Sequence, residues 1–379
     1  MKKLAIIGAG YMAEIIACEA KRKGIWTCCF SNDLSSVAAK SVDMFYPISI
    51  FDKDKIVKTC ITEKVNGVIA TTELTIEITA YVAEKIGVTS NPVDIMKVIT
   101  DKAYVREMTK DVKGLSTPEF WLISKYEDAF KVKHYPVIVK PIQLGGKRGI
   151  TVVHNRNELR DALKYAQEAI GTRDQNIIVE QFLKDGQEYS VEGLSYKGKH
   201  YIIQITEKIS SGAPHCVELG HRQPANLNEE MYQNIQIVVK NIFNRLKIQN
   251  GASHTEIKII GNKIYLIEVN FRPGGDHIAH PLTQLSTGYS YIGGAIDIAL
   301  GCFEEPEIKQ ENQKYAGVLF VTKQTEYLKK YLEGYENKEW MYKVNYISNK
   351  LKDITHNDGF NTNYIMYCSQ ESIPKELQL

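Results

Sequence analysis

The stretch Thr255-Glu256-Ile257-Lys258-Ile259-Ile260-Gly261-Asn262-Lys263-Ile264-Tyr265-Leu266-Ile267-Glu268-Val269-Asn270-Phe271-Arg272-Pro273-Gly274-Gly275-Asp276 carries the strongest signal in the chain. Two apolar segments flank Gly261-Asn262, a dipeptide whose leading glycine suits a tight hairpin turn. Residues two apart on a strand share a face, so Glu268, Asn270 and Arg272 point the same way. Glu256 lies on the partner strand and can approach Glu268 across the turn. Ile257, Ile259, Leu266, Ile267 and Val269 make the surroundings apolar. Carboxylates in such a sheet repel each other unless a cation lies between them. Two glutamates and an asparagine offer only oxygen, which suits Mg²⁺, an ion that keeps waters and binds substrate phosphates. Arg272 adds a fixed positive charge one strand step further on, suited to an anionic transition state. It leads into Pro273-Gly274-Gly275-Asp276, a turn that exposes backbone N–H groups. A surface strand with polar alternation is the competing reading.

Working outward, Pro136-Val137-Ile138-Val139-Lys140-Pro141 is an apolar strand ending in lysine, followed by Gly145-Gly146-Lys147-Arg148-Gly149. A lysine beside a glycine-rich loop can meet phosphate oxygens, and the loop N–H groups can cradle them. The P-loop spacing is absent, and a solvated charged hairpin fits the same residues. Ile177-Ile178-Val179-Glu180-Gln181-Phe182-Leu183 is an apolar strand that turns polar and reaches Gly186-Gln187-Glu188. Its end can read an adenine edge, with Glu188 accepting from ribose hydroxyls. Glu180 and Glu188 also suit ordinary exposed strand ends.

The N-terminal part alternates strand and helix. Apolar runs at 3–8, 26–30 and 67–70, with a helix to Ala20 and another from about Glu73 to Lys85, predict a parallel sheet over residues 1–92. Gly8-Ala9-Gly10-Tyr11-Met12-Ala13 fits G-x-G-x-x-A after a strand, with Asp33 further on, which keeps an NAD(P)-dependent dehydrogenase in play. Tight strand-to-helix turns also need glycine for steric reasons alone.

The 379 residues suggest two or three domains. Apolar residues make up 44% and charged residues 24%, which excludes disorder and fibrous repeats. Lys plus Arg is 47 against 45 Asp plus Glu, a net +2, so neither nucleic acid nor an acidic membrane is expected as partner. No run of roughly 18 apolar residues suggests a membrane helix. The first apolar run stops at Gly8, so no signal segment is expected. Seven cysteines at irregular spacing predict free thiols in a reducing cytoplasm, with Cys28-Cys29 in the core.

Lys102, Lys140, the glycine-rich loop, Val179–Leu183 with Glu188, and Glu256…Glu268-x-Asn270-x-Arg272 occur in the order of the ATP-grasp family. Over roughly residues 1–300 the chain resembles its carboxylate–amine ligase branch, which includes L-amino acid ligases. Biotin carboxylase and D-alanine–D-alanine ligase are more distant. The resemblance implies an α/β (α+β) architecture. It has a Rossmann-like N-terminal domain at 1–92 and a two-subdomain ATP-grasp domain at 93–300, with a lid at about 115–192. A C-terminal part at 301–379 completes the catalytic domain. It implies ATP phosphates on Lys102 and Lys140 and the loop of Gly145 and Gly146, with Lys208 also at the cofactor and facing the substrate cleft. Adenine would be held by Glu180, Gln181 and Leu183, and ribose by Glu188. Mg²⁺, or Mn²⁺ in its place, would be held by Glu256, Glu268 and Asn270. Arg272 and Gly275 would hold the substrate carboxylate or acyl phosphate. His221, in Glu218-Leu219-Gly220-His221, also resembles this branch and is expected at the substrate cleft with Gly274 and Asp276. A lone histidine also serves structure alone. Glu73, read as the end of a third strand, is a candidate for the substrate amine.

Three departures stand out. Gln181 replaces a common acid or lysine, Lys147-Arg148 interrupt the loop glycines, and Asp276-His277 stand where some amino acid ligases carry a bulky residue. The expected reaction is ATP-dependent amide or peptide bond formation through an acylphosphate, with an amino acid as one substrate. Partners would be a small carboxylate and an amine, and a homodimer is an expectation drawn from the family. A bicarbonate- or formate-activating ligase and a nucleotide-binding regulator without turnover are alternatives, beside the dehydrogenase.

Overall fold

Four short strands build the first layer: β1 (Lys3–Ile7), β2 (Trp26–Phe30), β3 (Met44–Tyr46) and β4 (Gly67–Ala70). All pair in parallel in the order β3-β2-β1-β4. Both faces are covered, so β1 and β2 are almost continuously apolar and buried, Cys28 and Cys29 included. The computed structural model describes all residues except 125, 172–175, 214, 310–312, 335–337, 355, 375–376 and 378–379. Helix α1 (Tyr11–Arg22) buries Met12, Ala13, Ile16, Ala17 and Ala20, one face at helical spacing. Gly8 sits at φ +99°, and a Cβ there would lie 2.6 Å from the Thr71 hydroxyl. Packing and backbone angle together therefore explain this glycine. Asp33 caps its own exposed turn by accepting from Ser35.

The count of strands differs from expectation. β3 is only three residues long and part-exposed, too short to give a periodic signal. Glu73 therefore follows the fourth strand, in a short 3₁₀ turn before helix α2 (Ile76–Ile86).

The second layer is an antiparallel sheet of β5 (Phe120–Ile123), β6 (Val137–Pro141), β7 (Thr151–Val153) and β8 (Ile177–Gln181), in the order β5-β8-β6-β7. Helix α3 (Arg156–Ile170) backs it with Leu159, Ala162, Leu163, Ala166 and Ile170. The Asn155 side chain accepts from the N–H groups of Asn157 and Glu158, satisfying two orphan donors at the helix start.

A nine-stranded sheet forms the largest layer. Its centre is β9 (Gln187–Tyr196), β10 (Lys199–Ser210), β11 (Glu218–Gln223), β12 (Gly251–Ile260) and β13 (Lys263–Asn270). Helix α4 (Glu229–Arg245) covers one face with Ile235, Val238, Val239, Ile242 and Phe243. Each such side chain contributes about 1.5–3 kcal/mol by leaving water. The C-terminal residues carry no motif, yet they supply β14 (Tyr315–Val321), β15 (Met341–Asn345) and β16 (Asn363–Ser369), which extend the sheet beyond β11. Before β16 the chain crosses back over the other layers. The Asn357 N–H donates to Gly146 O, the Asn357 side chain accepts from Glu218 N–H, and Gly359 N–H donates to Asp276. Phe360 stacks on Tyr11 at 4.8 Å, bringing this segment to the start of α1.

Candidate active site

The β12–β13 hairpin sets Glu256 directly opposite Glu268. A bulge follows Glu256 and shifts the register, so Ile257 pairs with Leu266 and returns to the core. Each carboxylate has its own cation. Lys208 Nζ lies 2.7 Å from Glu256, and Lys102 Nζ lies 2.9 Å from Glu268. Asn270 pairs in register with His254 and is 2% exposed.

Lys102 opens a helix (Lys102–Thr109) whose N-cap, Asp101, accepts from Ala103 and Tyr104 N–H. That cap aims the first turn at the sheet, and Arg106, one turn on, meets Glu180 at 2.6 Å. Lys140 meets the other oxygen of Glu180, also at 2.6 Å. Burial pushes the Glu180 carboxyl up, but Arg106 and Lys140 overcome this and hold it down at about 2. Both Glu180 oxygens are thus engaged with cations, so its side chain fixes Lys140. Gln181, Phe182 and Leu183 border the cleft beside it.

These groups line one cleft between the four-stranded antiparallel sheet and the large sheet. Lys102, Lys140, Gly145, Gly146, Glu180, Gln181, Leu183, Glu188, Glu256 and Glu268 all border it. Ile138, Leu144, Ile150, Phe182 and Ile267 give it apolar walls. One end is therefore fit for a flat apolar ring and the other for a polyanion with cations. Glu188 is flanked by Lys147 at 3.5 Å and Lys258 at 3.7 Å. Lys147, which interrupts the loop glycines, turns into the cleft rather than into solvent.

The substrate-side candidates lie beyond the paired glutamates. Glu73 and Arg272 were expected to hold different substrate groups, but their side chains pair with each other. Burial raises the Glu73 carboxyl, while Arg272 lowers it and prevails. A Cβ on Gly145 would come within 3.0 Å of the Glu73 carboxylate, so this pair also abuts the loop. Gly274 has no room for a side chain, since a Cβ would lie 2.7 Å from His254 Nδ1 and 2.9 Å from Glu192 Oε2. Gly275 faces open space, and its carbonyl accepts from Ile278 N–H. His221 is fully buried, and burial is the main cause holding it down near 4 despite Glu218. Asp276 sits beside Glu218 and His221.

Four participants were missed in the sequence: His254, Glu192, Glu218 and Arg106. His254 Nδ1 lies 2.9 Å from Glu192 and Nε2 lies 3.4 Å from Glu256. Burial opposes protonation of His254, yet the two glutamates raise it to about 9. Strand alternation put His254 on the Glu256 face, which was the available signal. Glu192 needed the β9–β12 register, in which it pairs with His254. Glu218 lies 2.5 Å from Lys208, whose ammonium so links Glu218 and Glu256.

The comparisons agree with this architecture. A family model described as the ATP-grasp domain matches residues 133–280. Formate-dependent phosphoribosylglycinamide formyltransferase of Methanocaldococcus jannaschii is 23% identical over 296 residues, 74% of this chain and 72% of that protein. The L-amino acid ligase from Bacillus licheniformis superposes with a TM-score of 0.82 at 25% identity, covering 98% of this chain and 94% of that one. The biotin carboxylase domain of Hydrogenobacter thermophilus 2-oxoglutarate carboxylase, crystallised with MgADP and bicarbonate, gives a TM-score of 0.75 at 20% identity, with 97% and 86% covered. Residues 133–280 thus match the ATP-grasp domain, and they supply most of a cleft that joins apolar walls, lysines and an opposed glutamate pair.

Proposed function

We propose that the protein is an ATP-dependent carboxylate–amine ligase that forms an amide bond, with an amino acid as one substrate. The observation that carries this reading is Glu256 set opposite Glu268, with Lys102 on Glu268 and Lys140 lining the same cleft. Oxygen donors of two carboxylates and the Asn270 amide fit Mg²⁺, which when bound would neutralise charge on phosphate oxygens.

The chain's own residues supply the rest. The apolar walls and the Gln181–Leu183 backbone would seat adenine, and Glu188 the ribose. Lys102, Lys140 and Lys147 would orient the phosphates and offset their charge. A substrate carboxylate oxygen attacks the γ-phosphorus, breaking its bond to the ADP oxygen and giving an acylphosphate. The amine then attacks the acyl carbon, phosphate leaves with the bonding pair, and the amine loses a proton. Arg272, freed from Glu73, would hold the anionic carboxylate, and backbone groups at Gly274–Gly275 would assist. The Gly145–Gly149 loop would keep water from the acylphosphate. None of these steps needs a covalent enzyme intermediate.

The test is ADP and phosphate release across amino acids paired with amines. Release that requires both an acid and an amine supports the reading. Release driven by formate or bicarbonate alone would favour the second reading, prompted by the formyltransferase likeness. Among the described residues no helix is long and apolar enough to cross a membrane. A cytoplasmic enzyme, homodimeric and divided near residues 92 and 300, completes the proposal, with the lid expected at about 115–192 drawn in to the antiparallel sheet at 120–181, since Gln187–Tyr196 pairs within the large sheet.

A further inference from the structure

Glu218, His221 and Asp276 form a donor cluster distinct from the Glu256–Glu268 pair. One ligand atom from each lies within 4.8 Å of the others. Residues three apart on a strand normally face opposite ways. Here the β10–β11 register slips between Ile209–Gly220 and Ser210–Glu218, and this irregularity brings Glu218 and His221 to the same side. Asp276 arrives from the turn after β13, held at φ +46°.

His221 is 0% exposed, and neither ring nitrogen has a hydrogen-bond partner among the described residues. Its Nε2 lies 3.3 Å from Glu218 Oε2, but not in hydrogen-bonding alignment. A buried imidazole without partners is costly unless something else satisfies it. Glu218 is held by Lys208 through Oε1, which leaves Oε2 turned to His221. Asp276 accepts from Gly359 N–H through Oδ1 and remains part-exposed, which opens the cluster to solvent.

We propose that Glu218, His221 and Asp276 bind one transition-metal dication, separate from the oxygen-only set of Glu256, Glu268 and Asn270. An imidazole nitrogen with two carboxylate oxygens suits Zn²⁺, Co²⁺ or Mn²⁺ better than Mg²⁺. Three protein ligands leave at least one position for water or a substrate donor atom. Asp276 directly follows the Gly274–Gly275 turn, so the cluster adjoins the groups proposed above to hold the substrate. The inference stands on the cluster's geometry and does not depend on the ligase reading.

Co²⁺ titrated into the full chain, without nucleotide, tests it by visible absorption and calorimetry. The expected result is one equivalent bound, with a ligand-field band. His221→Gln and Asp276→Asn should each weaken binding at least ~10-fold, while Glu268→Gln should keep both the band and the affinity. Absence of stoichiometric binding overturns the proposal, as does an unchanged band and affinity in Asp276→Asn. Circular dichroism checks folding, and the part-exposed Asp276 keeps the test decisive if His221→Gln misfolds. Phosphate release with Mg-ATP is scored separately, and its failure would strike only the ligase reading.

Discussion

The two ends of the site treat buried charge differently. At the nucleotide end, Glu180 is 2% exposed and both its oxygens lie 2.6 Å from cations, Arg106 and Lys140. At the substrate end, His221 is equally buried but has no hydrogen-bond partner among the described residues, where Asp276 accepts from a backbone N–H. The first is a closed knot, satisfied before any ligand arrives. The second is open, and a ligand must complete it. Buried polar groups are costly unless paired, so the contrast separates a prebuilt wall from a receiving surface.

The largest expected effect lies between the two ends. Glu268→Gln should lower kcat for phosphate release by about 10³-fold, on the scale of losing a main electrostatic stabiliser of the transition state. Steady-state kinetics with an acid and amine pair measures it, and near-normal kcat would remove Glu268 from metal binding. Next, Glu180→Ala leaves Arg106 and Lys140 buried without their anion, and should destabilise the fold by ~3–5 kcal/mol in thermal or urea unfolding. A small shift would mean that the knot is not the closed unit described. Lys140→Ala relieves charge in the knot while removing a phosphate contact. Its KM for ATP should rise by about 10–100-fold, as expected for losing a charge-assisted hydrogen bond of ~1.5–3 kcal/mol, with a milder loss of stability.

The smallest effects are pH-dependent, and their signs differ between groups. Glu180 is lowered to about 2 from an ordinary 4.5, so its contribution is present above pH 4.5 and lost as pH falls towards 2. His254 is raised to about 9 from 6.5, so its contribution is complete below pH 6.5 and lost as pH rises through 9. Glu192→Gln should therefore lower the Tm more at pH 6 than at pH 10. An equal loss at both pH values would show that Glu192 acts through packing rather than through the charge on His254.

Much of this was legible because it is local. Alternation along 268, 270 and 272 and the Gly261-Asn262 turn announced the hairpin, and β12 and β13 pair as that pattern requires. The apolar stripe from Ile235 to Phe243 announced α4 in the same way. Other parts were not legible for equally physical reasons. β3 has three residues, shorter than any period it would need to display. The C-terminal strands complete a sheet whose other members lie far away in the chain, so no local pattern names their partners. The pairing of Glu73 with Arg272 spans two layers and depends on how these pack.

The chain by itself determined which residue types are available and where periodicity forces a strand or helix, because side-chain direction repeats every two or 3.6 residues. That was enough for the hairpin, the lysine beside the loop and the order of the motifs. Only the tertiary structure decided which charges meet. Ion pairing depends on distances of a few ångströms between segments far apart in sequence, and register slips such as those at Glu256 and at Glu218 set those distances. Strand periodicity alone would put His221 and Glu218 on opposite faces; the folded sheet puts them on one.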